Sequence, residues 1–171
     1  MLSGKLARPG DLSPSHEHYL RAIWEVRTRR GYARLTDVAR ELAIAPATLS
    51  VGLRPLEAKG LIAHDDQRFL LLTGSGERVA REVHHRHAVL RTFLEDVLRV
   101  TPPVAEREAC LIEHDISAET TERFVDLLKL LGEDREVREL LRSRLDAYHR
   151  SCRSGSACST CGLSCLTPPP Q

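Results

Sequence analysis

Cys110, Glu113 and His114 stand at positions i, i+3 and i+4 of the run Glu106-Arg107-Glu108-Ala109-Cys110-Leu111-Ile112-Glu113-His114-Asp115. In a helix of about 3.6 residues per turn, that spacing stacks a thiol, a carboxylate and an imidazole on one face. All three are good ligands for a divalent transition metal, and thiol plus imidazole is a softer set than magnesium or calcium prefers. Glu106 lies one turn before Cys110 on the same side. The donors flank an apolar stripe, Ala105, Ala109, Ile112 and Ile116, which is expected to be buried. A second group of thiols, Cys152, Cys158, Cys161 and Cys165, crowds the end of the chain with five, two and three residues between successive cysteines. Four thiolates on a glycine- and serine-rich segment can wrap an iron–sulfur cluster or Zn(II).

The elements that position these groups read as helices. With 42% hydrophobic and 29% charged residues the chain of 171 is globular, and with only 4% aromatics its core must be mostly Leu, Val, Ile and Ala. Ser13-Pro14 starts a helix running to about Thr28, with Ser as cap and Pro at the first position. Leu20, Ile23 and Trp24 form its apolar face, and His18, Arg21 and Glu25 project from the other side. Thr36 is expected to cap a short helix to Leu42, and Pro46 to open another to Lys59, with Leu49, Leu53 and Leu56 inward. Pro55 is expected to kink that helix or end it at Arg54. Leu61–His64 and Phe69–Thr73 read as two short strands. Gly74-Ser75-Gly76 reads as a break, followed by a long helix from Glu77 to about Arg99 with Val83, Leu90, Leu94 and Val97 on one face. His87 falls on that buried stripe and needs a polar partner there; His84 and His85 fall off it and read as surface residues. Pro102-Pro103 starts the donor helix, Ser117 caps the next (Ala118 to Leu131), and Gly132 separates it from a last amphipathic helix ending near Arg150. From Ser151 onward regular structure is not expected.

Helix, short turn, helix and hairpin is the order of a winged helix-turn-helix. Its second helix would offer Ala47, Thr48, Ser50 and Val51 to base edges, with Arg34, Arg54 and Arg68 placed for phosphates. Small tip residues suit thymine methyls and DNA shape. Charge agrees weakly: residues 1–76 carry 11 Lys+Arg against 8 Asp+Glu (+3), and 77–171 carry 14 against 16 (−2). The expected fold is mainly α, a winged helix-turn-helix followed by an all-helical domain for dimerisation and metal binding. The expected divisions are 1–76, 77–150 and a cysteine-rich tail 151–171. No run of about 18 apolar residues and no apolar N-terminal leader is present, so a cytoplasmic location and no membrane contact are expected.

From Ser13 to Leu131 the chain resembles the diphtheria toxin repressor family, which includes iron-dependent repressors and the manganese transport regulators. The resemblance rests on residues 13–25, on Arg-His-Ala-Val-Leu (86–90) and on Glu-Ala-Cys-Leu-Ile-Glu-His-Asp-Ile-Ser (108–117). It implies a homodimer on a palindromic double-stranded operator. It also implies Cys110, Glu113 and His114 as core ligands and His87 as a ligand of the same or an adjacent site. His18 takes the N-terminal ligand position, which is methionine in iron-type members and aspartate in manganese-type ones. The chain departs from the pattern at Arg91 and Glu106, where iron-type members place an acidic and a histidine ligand of an accessory site. It departs again at Arg21, where manganese-type members have a second N-terminal carboxylate; one dominant site is expected. The thiol favours Fe2+, with Mn2+, Zn2+, Co2+ or Ni2+ as alternatives. The tail spacing is similar to the cysteine clusters of small winged-helix proteins associated with ferrous iron transport.

The leading expectation is therefore a metal-dependent transcriptional regulator, a repressor of metal-uptake genes. The competing readings are a winged-helix redox or iron–sulfur sensor governed by the tail, and a metalloenzyme on the Cys/Glu/His site. The last lacks a nucleophile-and-base constellation.

Overall fold

The computed structural model describes residues 12–153, with side chains as far as residue 147. The elements are α1 (Pro14–Arg30), α2 (Leu35–Glu41), α3 (Pro46–Ala58), β1 (Ile62–His64), β2 (Leu70–Leu72), α4 (Gly74–Thr92), α5 (Pro102–Ile112), α6 (Ala118–Glu133) and α7 (Arg135–Arg153). A π-helical turn, Phe93–Val97, extends α4. The fold is mainly α, as the sequence predicts. None of the described helices is long and apolar enough to cross a membrane.

The first helix forms for the reasons legible in its sequence. Ser13 accepts a hydrogen bond from the His16 N–H, Pro14 takes the first turn, and Gly31 closes the helix at φ 81°. Leu20 and Ile23 are fully buried against Leu49, Leu53 and Leu56 of α3 and Val38 of α2. β1 and β2 pair antiparallel, with Ile62 opposite Leu72 and His64 opposite Leu70. Asp65 shapes the turn between them by accepting from the Gln67 and Phe69 N–H groups. The Leu70 N–H donates to the Ala33 carbonyl, tying this wing to the end of α1.

Several local expectations are corrected. α2 starts at Leu35 with Arg34 in the cap position and no side-chain cap, so Thr36 lies inside the first turn. α3 continues through Pro55 to Ala58; Pro55 is exposed, so the carbonyl that loses its partner one turn back is on the solvent side. Gly74-Ser75-Gly76 is the first turn of α4 rather than a break. Thr73 caps it, accepting from the Gly76 N–H while its own hydroxyl donates to the Gly60 carbonyl. Gly132 lies inside α6, and the interruption falls at Asp134, which has extended backbone. The expected long helix to Arg99 is regular only to Thr92, and Arg99 turns the chain at φ 62°. The last helix runs three residues past Arg150, so 151–153 are helical.

Two hydrophobic cores result, and α4 belongs to both. Its Val79, Ala80 and Val83 join the core of α1, α2, α3 and the wing. Its Leu90 joins Leu94, Ala105 and Ala109 in the second, with Val100, Ile116 and Phe124 against it. Ala105 and Ala109 are fully buried, whereas Ile112 is 43% exposed. The expected four-residue stripe thus loses Ile112, while Ile116 is partly buried and the small side chains of the two alanines let α5 lie close to α4.

Gly76 marks another close approach: a Cβ there would fall well inside contact distance of the Leu61 carbonyl oxygen. Since backbone must move to make room, Gly76→Ala should cost about 1–3 kcal/mol, read from the urea midpoint. An unchanged midpoint would contradict this docking of α4 on the wing.

Candidate metal centre

Three elements bring the donors together. α1 presents Glu17 and His18 in its first turns, α4 presents Arg86 and His87, and α5 with the turn after it presents Glu106, Cys110, Glu113 and His114. α5 ends at Ile112, but the Glu113 N–H still donates to the Ala109 carbonyl at 2.9 Å. That last helical bond keeps Glu113 and His114 on the side of Cys110, as the i, i+3, i+4 spacing requires.

His18 Nε2 lies 3.0 Å from Cys110 Sγ, 3.3 Å from Glu113 Oε1 and 2.8 Å from His114 Nε2. His114 Nε2 is 3.6 Å from Glu113 Oε1. The donor atoms of His18, Cys110 and Glu113 all lie within 4.8 Å of one another. His87 reaches the other Glu113 oxygen, Nδ1 to Oε2 at 2.8 Å, and holds Glu106 Oε1 at 3.1 Å from Nε2. Four of the six residues anticipated from sequence, His18, His87, Cys110 and His114, thus gather around the carboxylate of a fifth, Glu113. Glu106 stands one remove away, more than half exposed, reached through His87.

These groups suit a cation. Glu113 is wholly buried, yet neither of its oxygens accepts an aligned hydrogen bond, and His87 Nδ1 is buried without one as well. Such groups are costly unless a charge partner completes them. The two imidazole nitrogens facing each other at 2.8 Å need a proton or a metal ion between them. Burial pushes the Glu113 carboxyl up, but contact with His18 and His87 and the Arg21 guanidinium outweigh it and hold the group down at about 2. The Cys110 and Glu113 side chains beside His18 push its imidazole up to about 9 against the opposing effect of burial.

Sequence reasoning missed Glu17, Arg86 and the contacts of Arg21. Glu17 is 2% exposed, and its Oε2 lies 2.8 Å from His114 Nδ1 and 3.1 Å from Arg86 Nη2. Arg86 Nε donates to the Glu113 backbone carbonyl at 2.8 Å. A carboxylate on one imidazole nitrogen leaves the other free to accept a metal and fixes the ring's direction. The signal was present: Glu17 stands three residues before Leu20, and Arg86 between Val83 and Leu90, each a charge on an apolar stripe. Arg21 Nη2 donates to Cys110 Sγ at 3.8 Å, and the same guanidinium lies 3.6 Å from Glu25 and 3.9 Å from Glu113. His84, expected on the surface, is instead half-buried, with Nδ1 3.1 Å from Glu25 and its ring against Trp24 at 4.5 Å.

The DNA-facing candidates lie away from this centre. Ala47, Thr48, Ser50, Val51 and Arg54 are all exposed on α3, and Arg68 is exposed in the wing turn. Arg34 lies over the rings of Tyr32 and Phe69 at 5.2 and 5.4 Å. Cys152 lies in the last turn of α7, and Cys158, Cys161 and Cys165 lie outside the described residues.

Comparison with known proteins agrees with this geometry. A family model described as the iron dependent repressor N-terminal DNA binding domain matches residues 11–70. A second, the iron dependent repressor metal binding and dimerisation domain, matches residues 73–140. The chain is 29% identical over 130 residues to the HTH-type transcriptional regulator MntR of Geobacillus kaustophilus, covering 76% of this chain and 92% of that protein. Its identity to MntR of Bacillus subtilis is 28% over 131 residues, with 77% and 92% covered. Among solved structures, the manganese regulator SloR gives a TM-score of 0.62 at 26% identity over 69% of this chain and 55% of that one. IdeR of T. acidophilum gives 0.59 at 25% identity, over 66% and 53%. The chain therefore spans nearly all of the MntR proteins and just over half the length of these solved regulators. With both halves matched in order and the donor cluster at their junction, the chain belongs to the diphtheria toxin repressor family of metal-dependent transcriptional regulators, which includes the iron-dependent repressors and manganese transport regulators.

Proposed function

We propose that this protein is a DNA-binding repressor whose affinity for its operator is set by a divalent metal, Fe(II) in preference to Mn(II), held at the junction of α1 and α5. One observation carries the reading: His18, on the helix packed against the recognition helix, meets Cys110, Glu113 and His114 from the second half of the chain at 2.8–3.3 Å. The ligands would be His18, Cys110, Glu113 and His114, with His87 positioning the second Glu113 oxygen. The sulfur of Cys110 supports Fe(II), because Mn(II) favours all-oxygen and nitrogen sets. The relatives are regulators, not enzymes, and the metalloenzyme alternative is set aside.

When bound, the ion supplies a positive charge that donors from both halves of the chain share. His18 transmits that constraint. Its neighbours Leu20 and Ile23 share one core with Leu49, Leu53 and Leu56, so restraining His18 restrains α3. Glu17 and Arg86 hold His114 and the Glu113 backbone in place from α1 and α4. The second half leaves Leu111, Ile112, Leu130, Val137 and Leu140 exposed, which supports a homodimer covering them and presenting two α3 helices to a palindromic site. Residues 1–76 would then serve as reading head and 77–150 as dimerising sensor. Ala47, Thr48, Ser50 and Val51 would meet base edges, with Arg34, Arg54 and Arg68 at phosphates.

Chelator-stripped protein should lose about 5–150-fold in operator affinity, restored by Fe(II) under anaerobic conditions more fully than by Mn(II). His18→Ala should stay folded by circular dichroism and lose the metal dependence; equal DNA binding with and without metal would end this reading. Glu17→Gln should weaken metal binding about 10–100-fold at an unchanged ligand set, judged by Co(II) absorption. Unchanged affinity would show that Glu17 does not orient His114. Since a proton and an ion compete for His18 Nε2, Mn(II) affinity should rise with pH toward about 9, by up to about tenfold per pH unit. A flat profile between pH 6.5 and 8 in calorimetry would exclude His18 as the competing base.

A further inference from the structure

We infer that Arg21 is a resident cation standing where a second metal ion would otherwise be held, so that the junction takes one divalent ion per chain. The inference deepens the metal reading above and rests on it. Beside the donor cluster, a cavity of about 310 Å³ lies between α1 and α4, bordered by His18, Arg21, Glu25, His87, Arg91 and Glu106. That is room for a hydrated cation, since a water molecule takes about 30 Å³. Histidine and glutamate on its walls are the right donors for one.

Guanidinium groups already stand against the carboxylates there. Arg21 lies 3.6 Å from Glu25 and 3.9 Å from Glu113 Oε1, and donates to Cys110 Sγ at 3.8 Å. Its side chain is 12% exposed, so these contacts are little screened by water. Arg91 lies 3.9 Å from Glu106, and Arg86 holds Glu17 at 3.1 Å. Each carboxylate of the junction therefore has a guanidinium within 4 Å. A dication entering the cavity would meet the Arg21 guanidinium at short range in a partly buried setting, and would have to compete with it for Glu25 and Glu113. The ion proposed above would be held beside Arg21, by His18, Cys110, Glu113 and His114. The guanidinium also occupies one side of Cys110 Sγ and Glu113 Oε1, the two atoms best placed to bridge a pair of ions.

Counting bound Mn(II) by equilibrium dialysis with electron paramagnetic resonance tests this, because the tail thiols are too soft to compete for that ion. The wild-type chain should hold one Mn(II) with the signal of an isolated ion. Arg21→Glu should hold two, with exchange coupling between them. Two ions in the wild type, or one in folded Arg21→Glu, would overturn the inference. If Arg21→Glu does not fold, Arg21→Gln should admit the second ion at higher Mn(II) concentration, and a count fixed at one would be equally fatal. No bound Mn(II) in any variant would instead sink the metal reading itself, and this inference with it.

Discussion

Glu113 carries a charge with no exposure to water, and the junction is built around that fact. Four charged or polar side chains from two helices and the turn after α5 approach its two oxygens: His18 and Arg21 from α1, His87 from α4, and His114 beside it. A buried carboxylate is tolerable only when it is surrounded in this way. The requirement links parts of the chain about a hundred residues apart, and it explains why α1, formally part of the reading head, faces the sensor along one edge. Without Glu113 the histidines would lose the anion that gathers them, and α1 would have much less reason to meet the end of α5.

The clustering of these side chains was legible in the sequence because helical spacing can be read without knowledge of the fold. Cys110, Glu113 and His114 needed only a helix, and His87 only the observation that it lay on an apolar stripe. The partnership of Glu17 and Arg86 was not read, although it leaves the same kind of trace. A charge on an apolar stripe shows that a partner exists, while the identity of that partner depends on the tertiary fold. The helix boundaries show a related limit. Gly74 and Gly76 have poor helix propensity, and the expectation of a break followed from that. The Thr73 cap and the need for a residue without a side chain against Leu61 prevailed. Gly132 was misread for the same reason, and Ile112 because periodicity says which side chains share a face but not how far along a helix its neighbour extends.

Family membership and the particulars of this chain carry different information. The matches place the two halves in order and identify the type of regulator. They do not by themselves describe the charges that Arg21 and Arg91 bring to the junction. Arg21 and Arg91 occupy positions where other members are described above as carrying ligands. The site accordingly combines an inherited framework with a charge distribution of its own, in which guanidinium groups do part of the neutralising that a second ion would do.

The continuity of α4 has a mechanical consequence. Nineteen residues of unbroken helix run from the wing to the second core, a length of about 28 Å at 1.5 Å per residue. Such a rod does not flex at its middle. A tilt of about 5° imposed at one end therefore displaces the other by roughly 2.5 Å over that length, which is comparable to the separation of neighbouring polar groups on a base edge. On the proposed reading, a small adjustment near His87 would be magnified along α4 toward the wing, with the small-residue contact with α5 as the fulcrum.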